Sequence, residues 1–198
     1  MVQAAPHPRS EVPTSEYARE IGPDPEADLH GDPDDPSPAP SATEAAAVAD
    51  WRVAHSLLTL RAQVNGLAPH RSIASDGTIG DAAHQSRASD HNPWVRDGGT
   101  GVVTAMDITN DPDNGCAGET LATAIRSARD GRVKYVIWNR RIANSAAVGG
   151  AAAWEWRPYI GSNPHQHHVH ISVKPERASY DSEAAWVLPG ALGPTPVA

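Results

Sequence analysis

Apolar and polar residues alternate most clearly near the end of the chain. From His168, the residues His168, His170 and Ser172 interleave with Val169, Ile171 and Val173. A period of two with β-branched residues on one side predicts a strand. Its aliphatic side faces a core, and His168 and His170 project from the other side about 6.6 Å apart. The same reading applied upstream predicts further elements. Ser41-Ala42-Thr43-Glu44 matches a capping box and opens a helix that runs to Asn65-Gly66, with Gly66 as its C-cap. Val53, Leu57, Leu60 and Val64 form its buried stripe, widened by Trp51 and Leu58. Residues 67–100 are rich in Gly, Asp, Ser, Pro and His and read as an ordered loop; long irregular loops in compact domains are usually functional.

Gly101 to Thr109 reads as one strand, with Val103, Ala105, Asp107 and Thr109 on one face. An Asp inside a strand is out of place without a partner. Glu119 to Arg129 is a second helix, with Leu121, Ala124, Ile125 and Ala128 as its stripe. Val133 to Trp138 is another strand, with Trp138 in the core. Ala143 to Ala153 reads as a mobile loop of small residues. Trp154 to Tyr159 and a turn through Gly161-Ser162-Asn163-Pro164 then lead into the histidine strand. Trp94, Trp154 and Trp156 are candidates to line a cleft. Asp181 to Val187 is expected to add a short helix.

Composition divides the chain into three parts. Residues 1–50 hold eleven acidic and two basic residues, against a net charge of −8 for the whole chain. Nine of the eighteen prolines lie in residues 1–40. Such a segment buries too little apolar surface to offset ordering entropy. Residues 1–40 are therefore expected to be an acidic, Pro-rich arm, extended or disordered, suited at most to docking a protein partner. Residues 41–188 form the folded domain and 189–198 a flexible tail. The acidic balance argues against nucleic acid as a partner. No apolar run approaches a membrane span, and no basic region followed by an apolar core marks a secretory signal. The single cysteine, Cys116, excludes an internal disulfide framework and reads as an incidental thiol.

Candidate chemistry lies at three places: Ser89-Asp90-His91, Asp107, and His168-Val169-His170. Zinc sites use His nitrogen and Asp or Glu oxygen, and catalytic ones keep a position open for water. If the histidine strand pairs beside the strand of Asp107, it supplies a third ligand next to His91 and Asp107. A neighbouring His or carboxylate can then move protons. Asp76 and Asp81 read as loop caps or substrate contacts, Ser89 as a hydrogen-bonding neighbour of substrate or ligands, and His84 as a surface residue.

The order Ser-x-His, Asp on a strand, His-x-His resembles the zinc peptidase superfamily of D-alanyl-D-alanine carboxypeptidases, phage endolysin peptidases, lysostaphin-type enzymes and hedgehog domains. Ser75 to Asp81, Ser89 to Trp94, Val102 to Thr109, Lys134 to Asn139 and His168 to Val173 are similar to peptidase-like proteins of actinobacteria and their phages. The likeness covers about residues 50–175. It implies an α+β fold, a small antiparallel sheet with helices on one side and a zinc site on its open face. It implies His91, Asp107 and His170 as Zn2+ ligands and His168 as the acid/base or stabilising group. It also implies an arginine, here Arg71, that meets a substrate carboxylate; a structural salt bridge is the other reading of Arg71. Two departures stand out. The interval from His91 to Asp107 is longer than the family's, and His167 occupies the position where many members carry a carboxylate base. His167 or His165 is then the candidate substitute. The implied activity is cleavage of peptidoglycan stem peptides at the cell wall by an endolysin-like endopeptidase or a D,D-carboxypeptidase from a phage lysin or virion. The alternative is a non-catalytic zinc-containing cell-wall-binding or phage structural module.

Overall fold

The computed structural model describes residues 50–78, 89–161 and 163–194. The expected arm, the capping box at Ser41–Glu44, Asp81 and His84 lie outside them. Two small sheets and three α-helices make up a mixed α/β architecture among the described residues. The larger sheet is antiparallel throughout. Its strands are β4 (Ala105–Thr109), β5 (Val133–Trp138), β6 (Arg141–Asn144), β7 (Arg157–Pro158) and β8 (His168–Val173), in the order β4-β8-β5-β6-β7. The smaller sheet holds β1 (Trp51–Val53), β2 (Val95–Asp97) and β3 (Thr100–Val103), with β1 parallel and β2 antiparallel to the central β3. The helices are α1 (His55–Leu67), α2 (Gly118–Ala128) and the single turn α3 (Arg177–Tyr180).

The histidine strand lies inside the larger sheet, between β4 and β5, where its aliphatic side is buried. Val169, Ile171 and Val173 are wholly buried. They join Met106 and Ile108 of β4, Val136 and Trp138 of β5, Leu57, Leu60 and Val64 of α1, and Leu121, Ala122 and Ile125 of α2 in one apolar cluster. Each such side chain contributes about 1.5–3 kcal/mol on burial. The helices thus cover one face of the sheet. The residues of opposite parity form the other face: Asp107 and Thr109, Tyr135 and Ile137, and His168, His170 and Ser172. There Tyr135 and Ile137 make a second, smaller apolar cluster with Ile142 and Tyr159. Gly118 is needed where α2 crosses β5, since a Cβ there would fall 2.5 Å from the ring of Trp138.

Several expectations need correction. Residues 51–53 are strand, not helix: Val53 pairs with Val103, and Ala54 N–H donates to the carbonyl of Val103. Helix α1 starts only at His55 and runs through Gly66 to a C-cap at Ala68. The stretch Gly101–Thr109 is two strands in two sheets. Thr104 is the joint, its N–H given to the Asp90 carbonyl and its own carbonyl taken by Val173 N–H. There are therefore two sheets, one with a parallel pair, where one antiparallel sheet was expected. The expected loop at Ala143–Ala153 begins as the end of β6.

At the C-terminal end the helical turn is Arg177–Tyr180 rather than Asp181–Val187. Trp186 is instead fixed by its indole N–H on the Ser56 carbonyl, by Gln63, and by the Arg132 guanidinium 4.1 Å over its ring. The expected tail also has a buried anchor. Leu192 is 0% exposed, and its carbonyl accepts from Ala117 N–H. Cys116 pairs with Leu192 in a short bridge, and burial pushes its thiol up to about 11, which keeps it protonated and unreactive. No helix among the described residues is long and apolar enough to cross a membrane.

Candidate metal centre

Pairing places Asp107 directly opposite His170, and Thr109 opposite His168, on the face away from the helices. Asp107 therefore meets the histidine pair by register alone. His91 comes from outside the sheet, and three contacts bring it in. The Asp90 carboxylate is held by Lys134 of β5 at 3.1–3.2 Å. The Asp90 carbonyl is held by Thr104 N–H. The Ser89 hydroxyl accepts the N–H of His91 itself.

The segment Asp76–Thr78 completes the frame. Gly77 pairs with Asp107 along the outer edge of β4 through two backbone hydrogen bonds. Asp76 accepts from Thr109 N–H and Oγ1 at 2.9 and 2.8 Å. It also accepts both ends of the Arg71 guanidinium at 2.7 and 2.6 Å, with Arg61 3.2 Å away. Burial alone would raise the Asp76 carboxyl; the hydrogen bonds and charge of Arg71, together with the Thr109 donors, outweigh it and hold the group below its usual range.

His91, Asp107 and His170 converge. His91 Nε2 lies 3.2 Å from Asp107 Oδ2, His170 Nδ1 lies 3.0 Å from Asp107 Oδ1, and the two nitrogens are 3.2 Å apart. All three residues are buried, at 0%, 0% and 2% exposure. The remaining ring nitrogens have other partners. His91 Nδ1 is 3.1 Å from the carbonyl of Thr78, which can only accept, so Nδ1 carries the proton and Nε2 the lone pair. His170 Nε2 is 3.0 Å from Ser172 Oγ; with that N–H donated, Nδ1 also presents a lone pair. Neither carboxylate oxygen of Asp107 accepts a well-aligned hydrogen bond.

Three buried electron-pair donors about 3 Å apart repel one another unless a positive charge lies between them. Ligands around a tetrahedral zinc at about 2.0–2.1 Å are separated by about 3.3 Å, close to what these atoms show. The triad could hold a metal ion, and the acceptors on Thr78 and Ser172 orient its rings as outer partners of metal-bound histidines do. Burial alone would raise the Asp107 carboxyl; without a metal, positive charge on the rings of His91, His168 and His170 is what holds it well below the ordinary carboxylate range. Burial lowers His170, against the pull of Asp107.

The other sequence candidates separate clearly. His168 is buried on the same face with Nε2 3.9 Å from Asp107 Oδ1. His167 is exposed; its carbonyl accepts from Asn110 N–H, and its ring joins none of these contacts. His165 is the ring beside the pair, 5.0 Å from His168 and 5.6 Å from His170 centre to centre. Arg71 has a side chain only 1% exposed, with its fork taken by Asp76. This is the structural salt bridge that the sequence offered as its other reading. The expected open face is a buried one. Trp154 is in the core, and Trp156 packs on that core below the guanidinium groups of Arg126 and Arg141.

Sequence reasoning did not single out Thr78, Ser172 or Tyr135 as site residues, although the ring of Tyr135 stacks on His170 at 5.5 Å. Ser172 was readable, since it continues the His168, His170 parity. Tyr135 becomes visible only once the pairing of β5 with β8 is known. Comparison with family models, with curated proteins and with solved structures returned no match.

Proposed function

We propose that this chain is a zinc-dependent peptidase that cleaves peptidoglycan stem peptides, as an endolysin-like endopeptidase or a D,D-carboxypeptidase acting at the cell wall. One observation carries the reading. Three lone-pair atoms from separate parts of the chain, on His91, Asp107 and His170, meet at zinc-ligand spacing in a buried site. The motif order that supplies them resembles the hedgehog and D,D-peptidase superfamily, and the two-sided sheet is compatible with that fold.

Two imidazoles and one carboxylate favour zinc among common divalent ions. His91, Asp107 and His170 would hold it, and three protein ligands leave one position for a reactant. Zinc so held supplies Lewis acidity, acidifying a water and polarising a carbonyl. The chain's own contribution is geometry. Thr78 and Ser172 set the ring tautomers, and the edge pairing of Gly77 fixes the Asp107 backbone. In this reading His168, next along the same face, would pass a proton or steady developing charge on the reacting peptide.

The test is digestion of purified peptidoglycan by the zinc-loaded full chain, with the products identified by mass spectrometry. Chelation should abolish cleavage and zinc should restore it. His168→Ala should keep the metal and lose turnover. Cleavage that survives thorough chelation would refute the mechanism.

The burial of the triad favours a second reading, a non-catalytic zinc-containing cell-wall-binding or phage structural module. Zinc-loaded protein that binds sacculi but releases no peptide from defined muropeptides would select it.

A further inference from the structure

A run of unusual backbone surrounds His165. The β5–β6 hairpin turns through Asn139 and Arg140, both in the left-handed region at φ 46° and 60°. Such two-residue turns fit the strand twist and favour Asn-Gly; Asn139 meets that preference, whereas Arg140 stands where glycine is usual. The two N–H groups of this turn leave the hairpin: Asn139 donates to the carbonyl of His165 and Arg140 to that of Pro164, each at 2.8 Å. Gln166 adds a side-chain bond to Asn139 Oδ1.

His165 is itself left-handed, at φ 49°. Its N–H donates to Asn163 Oδ1 at 2.9 Å, and its Nδ1–H to the Asn163 carbonyl at 3.0 Å. Three left-handed residues, Arg140 the least suited of them, are thus tied together to fix one imidazole. Strain held in this way is characteristic of functional sites. A solvated connection between strands needs none of it, and an aliphatic side chain would fill an ordinary core position.

The ring so fixed is fully buried and stands edge-on to three others: Tyr159 at 5.2 Å and 78°, His168 at 5.0 Å and 78°, and His170 at 5.6 Å and 80°. We propose that His165 is a positioning residue of the metal centre: its ring, locked by the β5–β6 turn, is the wall that holds the imidazole of His168 in its working orientation. The metal ligands themselves are set by β4, β8 and the Ser89–His91 segment, so His165 acts on His168 rather than on metal capture. The activity arm of the test rests on the peptidase reading; the other two arms do not.

The experiment uses the zinc-loaded full chain with His165→Asn and His165→Phe. Asn tolerates the left-handed backbone and removes the ring; Phe keeps a flat ring without nitrogens. Zinc per chain, the side-chain resonances of the histidines by NMR, and kcat and KM on a stem-peptide substrate are measured. H165N should keep parental zinc, shift or broaden the His168 resonances while sparing those of His91, and lose roughly 100-fold in kcat with KM little changed, the scale of a misplaced catalytic group. H165F should recover most of that loss.

Zinc loss in H165N, unchanged His168 resonances in H165N, or H165F no better than H165N would each overturn the proposal. If H165N does not fold, H165F decides. His168 resonances and turnover near the parent's support the proposal, and a displaced His168 signal overturns it. A parent without turnover would defeat the peptidase reading, while zinc content and the His168 spectra still decide the role of His165.

Discussion

Replacing Asp76 with Asn removes the anion on which the frame of the site is built. Its side chain is 1% exposed and binds Arg71, Arg61 and Thr109. In D76N the Arg71 guanidinium, also 1% exposed, stays buried without its counter-charge. Breaking a buried pair from one side costs about 3–5 kcal/mol. For a domain of this size that is a fall in Tm of about 6–20 °C, at about 2–4 °C per kcal/mol. The assay is urea unfolding followed by tryptophan fluorescence, with Arg71→Met and the double variant completing a cycle. The double variant should cost at least about 1 kcal/mol less than the two single changes summed, since neighbours in one network couple by about 0.5–3 kcal/mol. A D76N cost below about 1 kcal/mol, or strict additivity, would refute the claim that this pair holds the fold. Arg71 would then be open again to its other reading, a contact for a substrate carboxylate.

Other expectations follow from the same geometry. Ser172→Ala removes the acceptor for His170 Nε2 and should weaken zinc binding about 10–100-fold with Tm of the metal-free protein little changed, as outer partners of metal histidines do; competition with a chromogenic chelator measures it. Leu192→Ala should cost about 2–5 kcal/mol, because this residue is wholly buried; a change within the error of urea unfolding would restore the segment to a flexible tail. The pH dependence has a definite sign. The Asp76 carboxyl lies lower in the folded protein than in the unfolded chain, so its contribution is complete above about pH 4 and is lost as pH falls below that. The urea midpoint should drop more steeply below pH 4 in the parent than in D76N, and parallel curves would contradict the assignment.

Much of this arrangement can be read from residue order, and the limits have physical causes. The strand His168–Val173 is legible because alternation and β-branched content agree along its whole length, and the strand Val133–Trp138 because it is a short run rich in β-branched and aromatic residues. Asp107 and His170 meet once the two strands are paired, whereas His91 joins them through the contacts of Ser89 and Asp90, which residue order does not display. The beginning of α1 was misread because Val53, Leu57, Leu60 and Val64 keep helical spacing across a strand-to-helix junction; nothing local marks Ala54 as the boundary, which pairing with β3 decides. The joint at Thr104 has no glycine or proline to announce it, and the change of sheet is set by the partners Asp90 and Val173. His165 was indistinguishable from His167 by alternation, since alternation begins at His168. Upstream of it the backbone turns through a left-handed residue, and parity no longer tells which ring faces the site.

The most direct test is the metal itself. The full chain, stripped by chelation, dialysed and reloaded, should bind one zinc, and X-ray absorption should show two imidazole nitrogens and a carboxylate oxygen at about 2.0–2.1 Å. His91→Ala, Asp107→Ala and His170→Ala should each abolish stoichiometric binding. A parent that takes up no metal, or three variants that load as the parent does, would contradict the account.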